Sequence, residues 1–190
     1  MAEINKSLGG EENLLALINA ANPGANIEQG TVSYGTPEAA TAPDAQGERN
    51  TKIVLTAVPG EGLSGTKTVY YRRLTLVEAG VSTETTVNTS GFDTSQPSAQ
   101  TTLAGLVFNS LNILPEGVGI WVNDAWFDAT ENQITWPARG DSIQLTLRPA
   151  DDALLYIAGD VSVTVTNVQG LSELLTVDQL DGFDPVSTGD

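Results

Sequence analysis

Lys52-Ile-Val-Leu-Thr-Ala-Val58, then Pro59-Gly-Glu-Gly-Leu-Ser-Gly65, then Lys67-Thr-Val-Tyr-Tyr-Arg-Arg-Leu-Thr-Leu76 is the stretch that decides the fold. Two runs rich in β-branched and aromatic residues flank a segment of Pro and Gly, which predicts a hairpin with a wide loop. Alternation along the second run sets Tyr70 and Arg72 on one face of the strand and Tyr71 and Arg73 on the other.

Upstream, Leu14, Leu15, Leu17 and Ile18 recur at helical spacing, and Pro23-Gly24 supplies a stop, so a short amphipathic helix is expected over 11–21. A brief strand over 31–34 and an exposed loop over 36–50 follow. Downstream, the Thr- and Ser-rich stretch 78–100 fits a linker or a connecting strand. A second helix is expected over 101–111, with Leu103, Leu106, Val107 and Leu111 on one face. Strands are then expected over 118–122, 133–136, 142–147, 154–157 and 161–166, separated by Asn, Asp, Gly and Pro.

The order helix then strands thus occurs twice. A gap-free offset of about ninety residues sets Asn19 and Asn22 on Asn109 and Asn112, Val32 on Val122, and Ile53, Leu55, Thr56 and Pro59 on Ile143, Leu145, Thr146 and Pro149. Either an internal duplication or shared composition accounts for these identities. The expected class is mainly β with two short helices (α+β): two related helix-plus-strands units forming small β-sandwich-like modules. Residues 1–90 form the first unit, 91–168 the second and 169–190 a C-terminal arm. After Arg148 no basic residue occurs while eight acids follow. In the arm, Leu174, Leu175, Leu180 and Phe183 alternate with acids, a pattern suited to docking on another subunit.

A net charge of −16 with only eight Lys and Arg argues against binding nucleic acid, since counterion release needs clustered basic side chains. It argues equally against an anionic membrane, and no apolar run reaches the length of a transmembrane helix. The N-terminal residues lack the basic start and apolar stretch of a secretory signal, so synthesis in a cytoplasm is expected. With no cysteine and no histidine, thiolate metal sites, Ser-His-Asp and Cys-His triads and imidazole bases are excluded. No phosphate-binding loop with its Lys is present. Neither a cofactor nor a metal is expected.

What remains for chemistry is Asp124, Asp128 and Glu131 among Trp121, Trp126 and Trp136. Paired carboxylates hydrolyse glycosides, and tryptophans beside acids bind sugars. The same tryptophans equally fill a core or an intersubunit contact, with the acids solvating turns. Asn123–Asn132 and Asp151-Asp152 offer oxygens to Ca²⁺ without the spacing of a dedicated loop. Tyr70, Tyr71, Arg72 and Arg73, the one dense basic and aromatic cluster, are candidates for contact with a partner or for pairing within the fold.

Leu17-Ile-Asn-Ala-Ala-Asn-Pro-Gly24, Val32-Ser-Tyr-Gly35, Asn50-Thr-Lys-Ile-Val-Leu-Thr-Ala57 and Gly65-Thr-Lys-Thr-Val-Tyr-Tyr-Arg-Arg-Leu-Thr-Leu76 together resemble virion structural proteins of tailed bacteriophages. The resemblance covers residues 11–77, with a fainter echo over 101–166, where Val161-Ser-Val-Thr-Val-Thr166 replaces the Tyr-Arg cluster. It implies a non-catalytic component of the particle, a head or neck decoration protein or a tail component, made in the host cytoplasm. Its partners would be major capsid, neck or tail proteins and copies of itself. A glycan-binding or adhesive β module of a virion or cell surface, using the tryptophans, is the alternative.

Overall fold

A computed structural model describes residues 4–41 and 48–169. The arm residues Leu174, Leu175, Leu180 and Phe183 lie outside the described residues. The chain is mainly β, with two helices and two sheets, as its sequence predicts.

Helix α1, Gly10–Ala21, begins where Glu12 reaches back to accept the N–H of Gly9 at 2.8 Å, and Glu116, distant in sequence, accepts the N–H of Gly10. Both carboxylates meet unpaired donors and the positive end of the helix dipole. The helix lays Leu14 and Ile18 on the first sheet, against Ile53, Leu55 and Tyr71.

In that sheet β3, Thr51–Ala57, is central. Strands β1, Val32–Tyr34, and β2, Glu38–Ala39, share one side of it, and β4, Thr66–Tyr71, takes the other. All pairings are antiparallel. The expected hairpin is therefore present, and β2 occupies part of the stretch expected as loop.

Strand β5, Glu84–Val87, arises from the Ser- and Thr-rich stretch and runs parallel to β9, Val161–Asn167. Helix α2, Pro97–Ser110, starts ahead of its expected first residue because Pro97 opens the helix, where its missing N–H costs nothing. The second sheet runs β5-β9-β8-β6-β7, with β6 at Val118–Val122, β7 at Ala125–Trp126 and β8 at Ser142–Pro149.

Leu103 and Val107 of α2 are fully buried on this sheet against Leu145, Leu147 and Val163. Leu76, Val81 and Val87 join the same core, so the second body draws on residues well ahead of position 91.

Two expected strands are absent. Residues 133–136 form a loop, held by Gln100 from α2: its Nε2 donates to the Ile134 carbonyl at 3.0 Å, and its Oε1 accepts the Ile134 N–H at 3.1 Å. Over 154–157 there is a single parallel bridge, Tyr156 to Leu74.

The two bodies share the antiparallel orders β1-β3-β4 and β6-β8-β9. Ala57 faces Val32, and Leu147, its counterpart at an offset of ninety, faces Ile120. Val32 thus corresponds to Ile120, two residues before Val122. A slip of two preserves which side chains point inward, whereas a slip of one would invert the strand.

Alternation fixes the second sheet's other face. Leu145, Leu147, Val161, Val163 and Val165 point into the core, so Gln144, Thr146, Ser162, Thr164 and Thr166 point outward, as their greater exposure shows.

Candidate functional site

The Tyr-Tyr-Arg-Arg cluster sits where the two bodies meet. Asn50 fixes the exit of β4 by accepting the Arg73 N–H at 2.9 Å and donating to its carbonyl at 2.8 Å. The Arg73 side chain then turns inward and is only 6% exposed. Its Nε donates to the Thr51 hydroxyl at 3.0 Å. Its Nη1 donates to the carbonyls of Ala153, Tyr156 and Asp151 at 2.9, 3.2 and 3.3 Å.

Beside it, the Tyr71 hydroxyl donates to the Leu154 carbonyl at 2.9 Å. Two further main-chain bonds, Leu74 to Leu155 at 3.0 Å and Ile157 to Leu74 at 2.9 Å, close the seam. Burial pulls the Arg73 guanidinium below its usual value, and it pushes the Tyr71 hydroxyl up to about 12 against a smaller opposing pull from Arg73.

Tyr71 and Arg73 are thus not available as partner contacts. They are spent on the loop between β8 and β9 of their own chain. Arg72 points the other way, to Glu48 at 2.6 Å and Glu78 at 2.7 Å, and Tyr70 is half-buried. A hydrogen bond from the Thr75 main chain, followed by that from Arg72, holds the Glu78 carboxyl below the usual range.

The tryptophans divide. Strands β6 and β7 are joined by Asn123 and Asp124, both with left-handed φ, +48° and +63°, as a tight hairpin turn requires. This turn sets Trp121 directly opposite Trp126, ring centroids 5.8 Å apart and nearly perpendicular at 88°. The Trp126 ring lies over Gly119, where any added Cβ would come within 2.0 Å of its Cζ3.

The Arg148 guanidinium stacks on Trp121, 4.2 Å from the ring centre, and grips both oxygens of Asp160 at 2.6 to 3.0 Å. That pairing raises the Arg148 pKa and lowers that of Asp160. Of the three tryptophans Trp126 is the exposed one, at 48%. Trp136 lies elsewhere, lining a depression with Phe92, Arg139 and Asn167.

Replacing Gly119 with alanine is expected to push the Trp126 ring off the sheet at a stability cost of about 1 kcal/mol, since the ring can swing into solvent. A red shift in tryptophan emission measures the displacement.

Two of the acids near these rings lie in turns. Asp128 accepts the N–H groups of Glu131 and Thr130 at 2.6 and 2.8 Å and the Thr130 hydroxyl at 2.7 Å, closing a turn; these bonds, led by that from Glu131, hold its carboxyl low. Asp124 sits in the β6–β7 turn, where its charge acts on Arg148. Among the described residues no three acidic side chains converge as metal ligands, at 123–132 or at Asp151-Asp152.

The residues that only the structure singles out are Gly119, Arg148 and Asp160, together with the outward polar row of the second sheet. Gly119 leaves no sequence signal of the ring above it. The row was readable as the alternation Ser-x-Thr-x-Thr over 162–166.

Fold and surface define an α+β protein of two helix-backed sheets, with an aromatic and hydroxyl-bearing face on the second sheet. Residues 4–189 match a family of unknown function, DUF7941, and the chain belongs to that family. No curated protein and no solved structure matches the chain.

Proposed function

We propose that the chain is a non-catalytic structural component of a tailed-phage particle, a head or neck decoration protein present in many copies. The observation that supports this reading is the outer edge of β4. The Ala57 N–H bonds the Gly65 carbonyl at 3.0 Å, and the Asn50 N–H bonds the Tyr71 carbonyl at 3.2 Å. By alternation the main-chain groups of Lys67, Val69 and Tyr71 face β3, and those of Thr66, Thr68 and Tyr70 face outward.

No strand covers that edge among the described residues. Around the hairpin's mouth lies a groove of about 290 Å³ lined by Ile18, Ile27, Leu55, Leu63 and Val69. An edge of unpaired donors and acceptors beside apolar pockets is what a strand from a neighbouring subunit needs. The charge of −16 keeps free subunits apart and disfavours a place against packaged DNA. Capsid, neck or tail proteins and copies of the chain itself are the proposed partners.

Thr68→Pro tests the reading, because it deletes an outward N–H and leaves the bonds to β3 in place. The wild-type protein is expected to form higher-mass species by light scattering, alone or with particle proteins. The variant should stay monomeric with roughly 1 kcal/mol lost. Gold-labelled antibody should decorate the outside of purified particles. A wild-type chain that stays monomeric and binds no particle component, or that is found only inside the shell, overturns the proposal.

A further inference from the structure

We infer that the solvent face of the second sheet, with Trp126 at its end, is a binding site for a neutral polysaccharide. This goes beyond the particle role and does not depend on it. Two independent features meet on the face. One is the outward row Gln144, Thr146, Ser162, Thr164 and Thr166, uncharged donors and acceptors on neighbouring strands. Adjacent strands lie about 4.8 Å apart, comparable with the length of one pyranose unit. The Ser142 and Thr166 hydroxyls share a hydrogen bond of 2.8 Å, so part of the row is already oriented.

The other feature is the Trp126 shelf. Its ring is held between the bare Gly119 backbone and the perpendicular ring of Trp121, and it still exposes 48% of its surface. An exposed indole fixed from below is a preorganised platform whose electron-rich face attracts the C–H groups of a sugar ring. Trp126 lies directly opposite Trp121, which is opposite Thr146, and Thr146 is opposite Ser162, so platform and hydroxyl row are continuous across the strands.

Charge selects the ligand. Arg148 is the one cation on strands β5 to β9, and Asp160 holds it bidentate, so along the row itself an anionic polymer finds no free positive group, while Arg139, in the loop before β8, bonds the Gln169 side chain. Glu84 and Asp124 add negative charge at the margins. A protein partner would call for a contiguous apolar centre, whereas here one exposed ring, packed on Trp121, stands at the end of a row of hydroxyls and an amide. Both the charge and the polarity match an uncharged chain of hydroxyl groups.

The test titrates the full chain with cello-, malto- and chito-oligosaccharides, following tryptophan emission and binding heat. At least one series is expected to bind with a change in emission. Trp126→Ala should weaken it by about tenfold or more, Trp126→Phe should retain part of the affinity, and Thr164→Val should cost a few-fold. Unchanged thermal unfolding of Trp126→Ala separates loss of the platform from loss of the fold.

Failure of all three series to bind overturns the inference. So does binding that Trp126→Ala leaves intact. A Trp126→Ala variant that dissociates an oligomer without altering sugar binding would assign the face to contact between copies, which also overturns it.

Discussion

Replacing Arg73 with alanine is expected to lower the stability of the chain by about 3 to 5 kcal/mol, the range for removing one partner from a buried polar network. The guanidinium is the donor for three main-chain carbonyls of the β8–β9 loop and for the Thr51 hydroxyl. Its removal leaves those acceptors facing a cavity. No carboxylate side chain bonds this cation within the described residues, so main-chain carbonyls and the Thr51 hydroxyl are its acceptors, and the Asp151 charge attracts it from a distance.

Lysine is expected to recover less than half of the loss, because a single ammonium cannot serve Thr51 and the loop at once. Methionine separates volume from bonding. If Arg73→Met unfolds at the wild-type urea midpoint with an unchanged slope, the bonds contribute nothing and the prediction fails.

Alkaline pH should weaken the same seam through Tyr71. Its hydroxyl is held up to about 12 in the folded chain against an ordinary value of 10.0, chiefly by burial. The folded state therefore keeps this proton when the unfolded chain has released it. The stability it contributes is complete below pH 10 and is lost as pH rises through 12.

The slope is at most about 1.4 kcal/mol per pH unit, so roughly 2 to 3 kcal/mol goes over the window. Urea midpoints measured from pH 8 to 12 should fall steeply above 10. In Tyr71→Phe the curve should be flatter and start about 1 kcal/mol lower, for the lost bond to Leu154. An equally steep fall in that variant would assign the loss to other groups.

These two residues also show how far the sequence could be read. Alternation correctly put Tyr71 and Arg73 on one strand face, and Lys52 to Val58 read as a strand because its β-branched run is local. Which face turned inward was not legible. Arginine usually marks a surface, and the partners that bury this one are main-chain carbonyls, which leave no trace in residue identity.

The same limit explains β5 and the loop at 133–136. Strand β5 carries no apolar alternation beyond Val87, and its pairing with β9 is set by a distant segment. Ile134 looked like a strand residue, but its main chain is occupied by the Gln100 side chain. At Trp121, Trp126 and Trp136, proximity in sequence suggested one cluster. The β6–β7 turn brings the first two together and the loop after them carries the third away.

The seam at Arg73 also orders the way the chain is made. The first sheet pairs among strands within 32–71, early in synthesis, yet the Arg73 guanidinium has only the Thr51 hydroxyl, and the Tyr71 hydroxyl no acceptor, until the loop of Asp151 to Tyr156 exists. Strand β5 likewise waits for β9, which is the last described strand. A nascent chain halted before Asp151 would lack the three main-chain acceptors of Arg73 and the partner strand of β5, and contacts of such long sequence separation form slowly. The first body is thus built early and locked late, and a truncated product would lack that lock.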